Sequence, residues 1–215
     1  MQADYSVELG KDDPALEVPW SADLPISSGN AAVGIQSELE PDLVTNSTSP
    51  VGYYDLKSDP SRVASIPEAA GCSELASFLT RINAAGFPLQ TAKCDLWTTT
   101  ELSPEEEIFG AHTKFASYVD LIFADDAPRL SLDRHESFAK ALCQLLQRAP
   151  EMPASAEFVV RRCYFHTADV SGDSVDGFCI TAYISGYADD QPVARQRWAI
   201  AIRLVQHALV QCAGS

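Results

Sequence analysis

Side chains that could move protons or hold charged groups recur along strand-like segments, where they alternate with apolar residues. Successive side chains of a strand point to opposite faces of its sheet, so this polar set should share the face that the core does not use. The segments and their polar residues are 89–99 with Lys93, Asp95 and Trp97, 114–123 with Tyr118 and Asp120, 157–167 with Arg162, Tyr164 and His166, and 177–187 with Tyr183.

One interpretation of this face is a protein interface. Trp, Tyr and Arg are the residue types that carry most of the binding energy between proteins. The residues that fit this interpretation are Trp97, Tyr118, Arg162, Tyr164 and Tyr183. The plain alternative is a face that is solvated or covered by the N-terminal residues.

The same face could instead bind or convert a small molecule. His166 would act as acid or base, with Asp120 or Asp95 orienting its ring. Lys93 or Arg162 would hold an anionic group of the ligand. No spacing rule selects these residues as a catalytic set, so the sequence leaves the choice between an interface and an enzyme open.

Other combinations fit a chemical site poorly. Cys163 and His166 are an odd number of positions apart on one strand, which places the thiol and the imidazole on opposite faces. Asp133, His135 and Glu136 offer no ligand pair at H-x-x-x-H or E-x-x-H spacing, so we expect no metal. G-x-G-x-x-G, P-loop and G-x-S-x-G motifs are absent from the sequence, and we predict no cofactor.

Hydrophobic spacing defines the elements that must position these residues. Apolar residues recur at helical intervals after Ser73, after Ser131 and over 192–212. With the four strand-like segments, the order is helix, strand, strand, helix, strand, strand, helix. This order predicts an α+β fold, a two-layer sandwich in which three helices cover one face of a four-stranded antiparallel core sheet.

A repeated phrase suggests an internal duplication of the strand-strand-helix unit. Ala-Asp-Asp-x-Pro occurs at 124–128 and again at 188–192, each time between a strand and a helix. An acidic or hydroxyl residue before a helix can cap its first turn, and we expect Asp190 and Ser131 to do so.

Two residues receive conflicting or unfavourable assignments. The 64-residue offset pairs Tyr187 with Phe123 and turns it toward the helices, whereas alternation turns it outward; a bulge near Gly186 would reconcile the two. Alternation also turns Arg161 toward the helices, because Val159, Cys163 and Phe165 are the apolar set of that segment. A guanidinium there would need an acidic partner or a place at the margin of the sheet.

Residues 1–70 differ in composition from the rest of the chain. They hold seven of the 13 prolines, no cysteine, and three basic against twelve acidic residues. We expect an extended acidic arm over 1–70, able to add a short strand, packed on a single α+β domain over 71–215.

The element order and the acidic charge resemble those of small acidic secretion chaperones.

Composition also narrows the partners and the location. The formal charge of −15 and the pI near 4.5 argue against nucleic acid and anionic membranes, which require clustered Lys and Arg. No stretch of ~18 apolar residues and no basic, apolar leader occurs, so we expect a cytoplasmic protein. The six cysteines form no C-x-x-C pair, and we expect reduced thiols.

Two functions are consistent with these observations. The leading hypothesis is a binding or assembly module that uses the polar and aromatic sheet face to self-associate, for example as a homodimer, or to hold a partner protein. The alternative is a small-molecule enzyme or ligand sensor with an acid-base site on that face under the N-terminal arm.

Overall fold

A computed structural model describes residues 1–11, 13, 15–19, 53–166 and 174–214. Its strands are β1 (Gln2–Glu8), β2 (Leu16–Val18), β3 (Leu89–Thr99), β4 (Thr113–Phe123), β5 (Ala154–His166) and β6 (Ser174–Ala188). Its α-helices are α1 (Pro67–Ala70), α2 (Ser73–Ile82), α3 (Asp126–Arg129), α4 (Leu132–Leu146) and α5 (Gln191–Ala213). Two 3-10 helices span Pro60–Ser65 and Glu106–Phe109. The fold is mixed α+β, as the sequence predicted.

The strands form one six-stranded sheet in the order β1-β5-β6-β4-β3, with β2 following β1 along the edge of β5. Strands β3 to β6 pair antiparallel, as predicted. The sheet has six strands rather than the four predicted for its core, because the N-terminal arm, expected to add one short strand, contributes β1 and β2, which both run parallel to β5. The short helices α1 and α3 were also not predicted.

Helices α2, α4 and α5 pack on one face of the sheet, called the helix face below. The apolar stripe of α5 is buried there, and the indole of Trp198 donates a hydrogen bond to the Ser117 hydroxyl at 2.9 Å. Both predicted caps are confirmed. The Asp190 carboxylate accepts from the Val193 amide at 2.9 Å, and the Ser131 hydroxyl accepts from the Arg134 amide at 3.3 Å.

A second, smaller apolar cluster lies on the opposite face of the sheet, called the outer face below. Residues of the arm take part in it together with strand residues: Leu16, Val18, Tyr53, Ala92, Ile122, Cys163, Phe165 and Cys179. It corrects the prediction for β5. Phe158 and Val160 belong to the helix-face core, so the alternate set Val159, Cys163 and Phe165 points outward.

The conflict over Tyr187 is resolved by its neighbour Gly186. A Cβ atom on Gly186 would lie 2.3 Å from the Ala194 carbonyl oxygen and 2.3 Å from the Trp198 amide nitrogen, so this position faces α5 at van der Waals contact. Tyr187 therefore points outward, as alternation predicted. Pairing with β4 and β5 runs without a register shift there, so the proposed bulge is absent. Phe123 faces the helices instead, and its equivalence with Tyr187 was wrong.

The described parts of the N-terminal arm share the main core with the rest of the chain. Met1, Ala3, Leu56, Val63 and Ala69 are buried in the same cluster as α2, α4 and α5. Among the described residues, no helix is both long enough and apolar enough to cross a membrane.

Candidate functional site

The central strands bring six of the sequence-predicted residues to the outer face or its edge. Asp95 pairs with Tyr118, which pairs in turn with Tyr183 on β6. Two residues further along β4, Asp120 pairs with Thr181 of β6. Trp97 lies two residues beyond Asp95 on β3 and therefore shares its face. Lys93 lies at the β-bulge between Thr91 and Cys94.

Three aromatic rings form a row across the outer face. The ring centroids of Trp97 and Tyr118 are 6.3 Å apart, and those of Tyr118 and Tyr183 are 6.0 Å apart. These separations lie within the range in which tilted aromatic rings attract each other. All three side chains are half-buried. We call Trp97, Tyr118 and Tyr183 the aromatic row.

Arg161 lies beside this row, which corrects its predicted inward position. Its guanidinium lies 5.6 Å from the centroid of the Tyr183 ring and 3.0 Å from the Glu8 carboxylate of β1. The acidic partner that the sequence analysis required therefore exists, but on the outer face. Because Arg161 follows Val160, its outward position results from the same reversal of β5 that turns Cys163 outward.

Asp120 is the buried acid of the outer face. It is 6% exposed, and its carboxylate accepts a hydrogen bond from the Thr181 hydroxyl at 2.6 Å. Burial raises the pKa of Asp120, while the Thr181 hydrogen bond and the charges of Lys93 and Arg161 act in the opposite direction. The net direction is upward, so the surroundings favour the protonated carboxyl.

Three predicted site residues are not part of this arrangement. Arg162, Tyr164 and His166 alternate with the outward set of β5 and lie on the helix face of the sheet. The Arg162 guanidinium lies 5.3 Å from the Tyr164 ring centroid, and His166 Nε2 lies 3.2 Å from the Glu17 carboxylate. The structure therefore does not bring His166 together with Asp120 or Asp95 as an acid-base set.

A cavity of about 330 Å³ opens where the arm segment 53–71 meets β3, at the edge of the outer face. Most of its lining is apolar, with a few charged and hydroxyl groups. The lining residues are Tyr54, Leu56, Ile66, Pro67, Glu68, Leu79, Thr91, Ala92, Lys93, Cys94, Asp95 and Tyr118. We call it the edge cavity.

The walls of the edge cavity are fixed by buried polar contacts. The Lys57 ammonium donates to the carbonyl oxygens of Phe87 and Leu89, each at 2.6 Å, and so ties the arm to the start of β3. Asn83, at the end of α2, donates to the Thr91 hydroxyl at 2.8 Å and accepts from the Thr91 amide at 3.0 Å. Neither anchor was predicted from the sequence.

The electrostatic surroundings of the edge cavity are negative. Burial raises the pKa of the Cys94 thiol to about 12, and the carboxylates of Glu68, Asp95 and Asp120 act in the same direction. Burial likewise raises the pKa of Tyr118, with Asp120 and Asp95 adding to it. Neutral thiol and phenol groups are thus favoured beside the cavity, and the Cys94 thiol is a weak nucleophile at neutral pH.

A second polar cluster lies at the far end of the outer face, where sequence analysis placed no site. The Tyr187 hydroxyl donates to Glu106 at 2.7 Å and lies 3.1 Å from the Ser155 hydroxyl, and Lys114 pairs with the same carboxylate. Phe109 stacks on the Tyr187 ring at 4.2 Å. Burial alone would raise the pKa of Glu106, but these hydrogen bonds lower it overall. The satisfied partners make this cluster a structural tie for the 100–112 loop.

Metal-binding side chains do not cluster in the described part of the chain, where no group of three His, Cys, Asp or Glu could hold an ion. All six cysteines are free thiols, and four of them are buried.

Comparison with known proteins gives no relative. The sequence matches no protein-family model and no curated protein, and the fold matches no solved structure. The resemblance to secretion chaperones therefore gains no support, and the functional proposal rests on the geometry of the chain itself.

Proposed function

We propose that this protein binds a small organic ligand in the edge cavity, without converting it chemically. The observation that carries the proposal is the cavity itself. Its volume of about 330 Å³ lies at the lower end of the range found for ligand pockets, and its lining combines apolar walls with a few polar groups, as such pockets do.

Binding is a better fit than catalysis for the residues present. The acid-base set of the sequence-based alternative is divided, since His166 lies on the other face of the sheet from Asp120. Cys94 lines the cavity, but its raised pKa keeps little thiolate at neutral pH. What supports a ligand-binding or sensor role is an apolar cavity with charged groups at its edge.

A change of volume in the cavity lining tests the proposal. Cys94→Leu adds apolar bulk to the lining, whereas Cys212→Leu makes the same change in the groove between α4 and α5. A thermal-shift screen of chemically diverse small molecules should find compounds that stabilise the wild type, by about 2.7 kcal/mol at a hundred times Kd. Cys212→Leu should respond equally, and Cys94→Leu should respond much less.

The ligand-induced shift is compared within each variant, so a lower starting Tm does not affect the result. The proposal fails if no compound stabilises the wild type, or if Cys94→Leu responds like Cys212→Leu.

A second candidate function is protein binding through the aromatic row, as a homodimer or with a different partner. It is favoured by the half-buried rings of Trp97, Tyr118 and Tyr183 beside Arg161. The reversal of β5 removes Arg162 and Tyr164 from the predicted interface, which leaves a smaller patch. A cytoplasmic location stays a prediction for either function.

The displaced tyrosine supplies a matched control for this second candidate. If the row mediates self-association, light scattering at micromolar concentration should give a dimer for the wild type and for Tyr164→Ala, on the helix face. Trp97→Ala combined with Tyr183→Ala should give a monomer. A monomeric wild type, or a dimer that survives the double substitution, would rule out self-association through the row.

A further inference from the structure

We infer that the edge cavity selects a small organic cation, with an apolar body and a protonated amine or a quaternary ammonium group. This inference rests on the proposed ligand-binding function and specifies its ligand. The charge, the aromatic lining and the apolar walls of the cavity each define one property of that ligand.

The charge of the ligand follows from the carboxylates around the cavity. Glu68 of α1 and Asp95 of β3 both contribute to the lining. Their fields reach into the space between them, since both raise the pKa of Cys94, which also lines the cavity. A cation placed there would be attracted by the same two carboxylates, and an anion would be repelled.

Three basic groups lie near the cavity, and one of them, the Lys57 ammonium, donates to the carbonyl oxygens of Phe87 and Leu89. Lys93 is exposed at the bulge, and its charge already acts on Asp120, where it favours ionisation of the carboxyl. Arg62 lies over the Tyr54 ring at 5.3 Å from the centroid and within 3.4 Å of Asp59, outside the lining. The lining itself thus has two carboxylates against one ammonium. The formal charge of −15 on the whole chain also attracts cations at longer range.

Two aromatic rings in the lining suit a cation with an organic body. Tyr54 and Tyr118 both contribute to the wall. The face of a phenol ring attracts ammonium and guanidinium groups, and the Tyr54 ring already has such a contact with Arg62. A hydrated inorganic ion would gain little from the remaining walls, which are formed by Leu56, Ile66, Leu79 and Ala92. An apolar body joined to an ammonium group would use both parts of the lining.

Three probes of one shape and different charge test the inference. The probes are 3-phenylpropylamine, 3-phenylpropanol and 3-phenylpropanoate, which are cationic, neutral and anionic at pH 7. Calorimetric titration of the full chain should give a Kd for the amine about ten-fold lower than for the alcohol. The propanoate should bind most weakly.

Neutralising the lining carboxylates separately should locate the effect. Glu68→Gln and Asp95→Asn should each weaken amine binding about five-fold and leave the alcohol unchanged. Glu105→Gln removes an exposed carboxylate outside the lining and should change neither Kd. These isosteric substitutions keep the cavity volume, so a loss specific to the amine reports on charge.

The outcomes separate this inference from the proposed function. If the alcohol or the propanoate binds as tightly as the amine, or if the amine alone fails to bind, the cation inference is wrong while the ligand site stands. An amine preference that survives both Glu68→Gln and Asp95→Asn also overturns it. If neither these probes nor any compound of the thermal-shift screen binds, the proposed function and the inference fail together.

Discussion

Asp120 is a buried acid of the outer face that supports the strands beside the edge cavity. It is 6% exposed and lies next to Tyr118 and Tyr183 on the outer face. Its hydrogen bond from Thr181 fixes the carboxyl group between β4 and β6. In its ionised form the carboxylate still acts on the edge cavity, because its charge raises the pKa values of Cys94 and Tyr118 there.

The raised pKa of Asp120 has a consequence for stability. The folded chain holds this proton more tightly than the unfolded chain, so the residue's contribution to stability falls as the pH rises above about 3.9, its ordinary pKa. Asp120→Asn keeps an oxygen that can accept from Thr181 and does not ionise. We expect its free energy of unfolding, relative to wild type, to increase between pH 4 and pH 7 in urea titrations.

Thr181→Val provides the companion measurement. It removes the hydrogen bond that lowers the pKa of Asp120, so the total decline in stability with rising pH should become larger and extend to higher pH. An unfolding free energy of Asp120→Asn that keeps the same distance from wild type at every pH would show that the folded and unfolded pKa values of Asp120 are equal.

Single residues were placed correctly from the sequence where they alternate with large apolar neighbours on the same strand. Asp95, Trp97, Tyr118 and Asp120 belong to such strands and reached the expected face. Tyr183 did so as well on β6. The contacts of Lys57 and Asn83 could not be predicted. A lone lysine in an extended segment and an asparagine after a helix are both common at exposed positions, so their residue types do not indicate a buried partner.

At the scale of elements, β5 shows where alternation stops being informative. Both of its residue sets contain apolar side chains: Phe158 and Val160 in one, Val159, Cys163 and Phe165 in the other. The second set packs against Leu16, Val18 and Tyr53 of the arm. A strand covered on both faces reads as a continuous apolar run, so the sequence could not say which set faced the helices.

The number and position of the β-strands in the arm were not predicted, for a related reason. Strand β1 alternates polar and apolar residues, but its partner β5 lies about 150 positions away in the sequence and runs parallel to it. Parallel pairing at such a distance leaves no local turn signal. The long helices α2, α4 and α5 and the antiparallel strands β3 to β6 have clear periodicity, so their existence and order were predictable.

For the whole molecule, the arm is part of the architecture that creates the candidate site. Leu56, Val63 and Ala69 are buried in the main core, and the segment around them closes the edge cavity against β3. The sequence predicted that the arm packs on the domain and that a ligand site could lie beneath it. It could not predict the cavity, since that depends on the exact distance between two segments that meet only in the folded chain.

The positions of the acidic residues carry more information about a ligand than the total charge of the chain. A formal charge of −15 argued against nucleic acid and anionic lipid partners. Because Glu68 and Asp95 both line the edge cavity, we expect the negative charge there to favour a cationic ligand. Total charge can be read from composition, whereas the convergence of two carboxylates from α1 and β3 requires the fold.

The most direct test of the central claim is to locate bound ligand by NMR. Amide resonances of the full chain are followed during titration with 3-phenylpropylamine, which should bind between the arm and β3. Shifts should concentrate in residues 54–68, 91–95 and 118, around the edge cavity. Shifts concentrated at the groove between α4 and α5, or none at saturating amine, would contradict it.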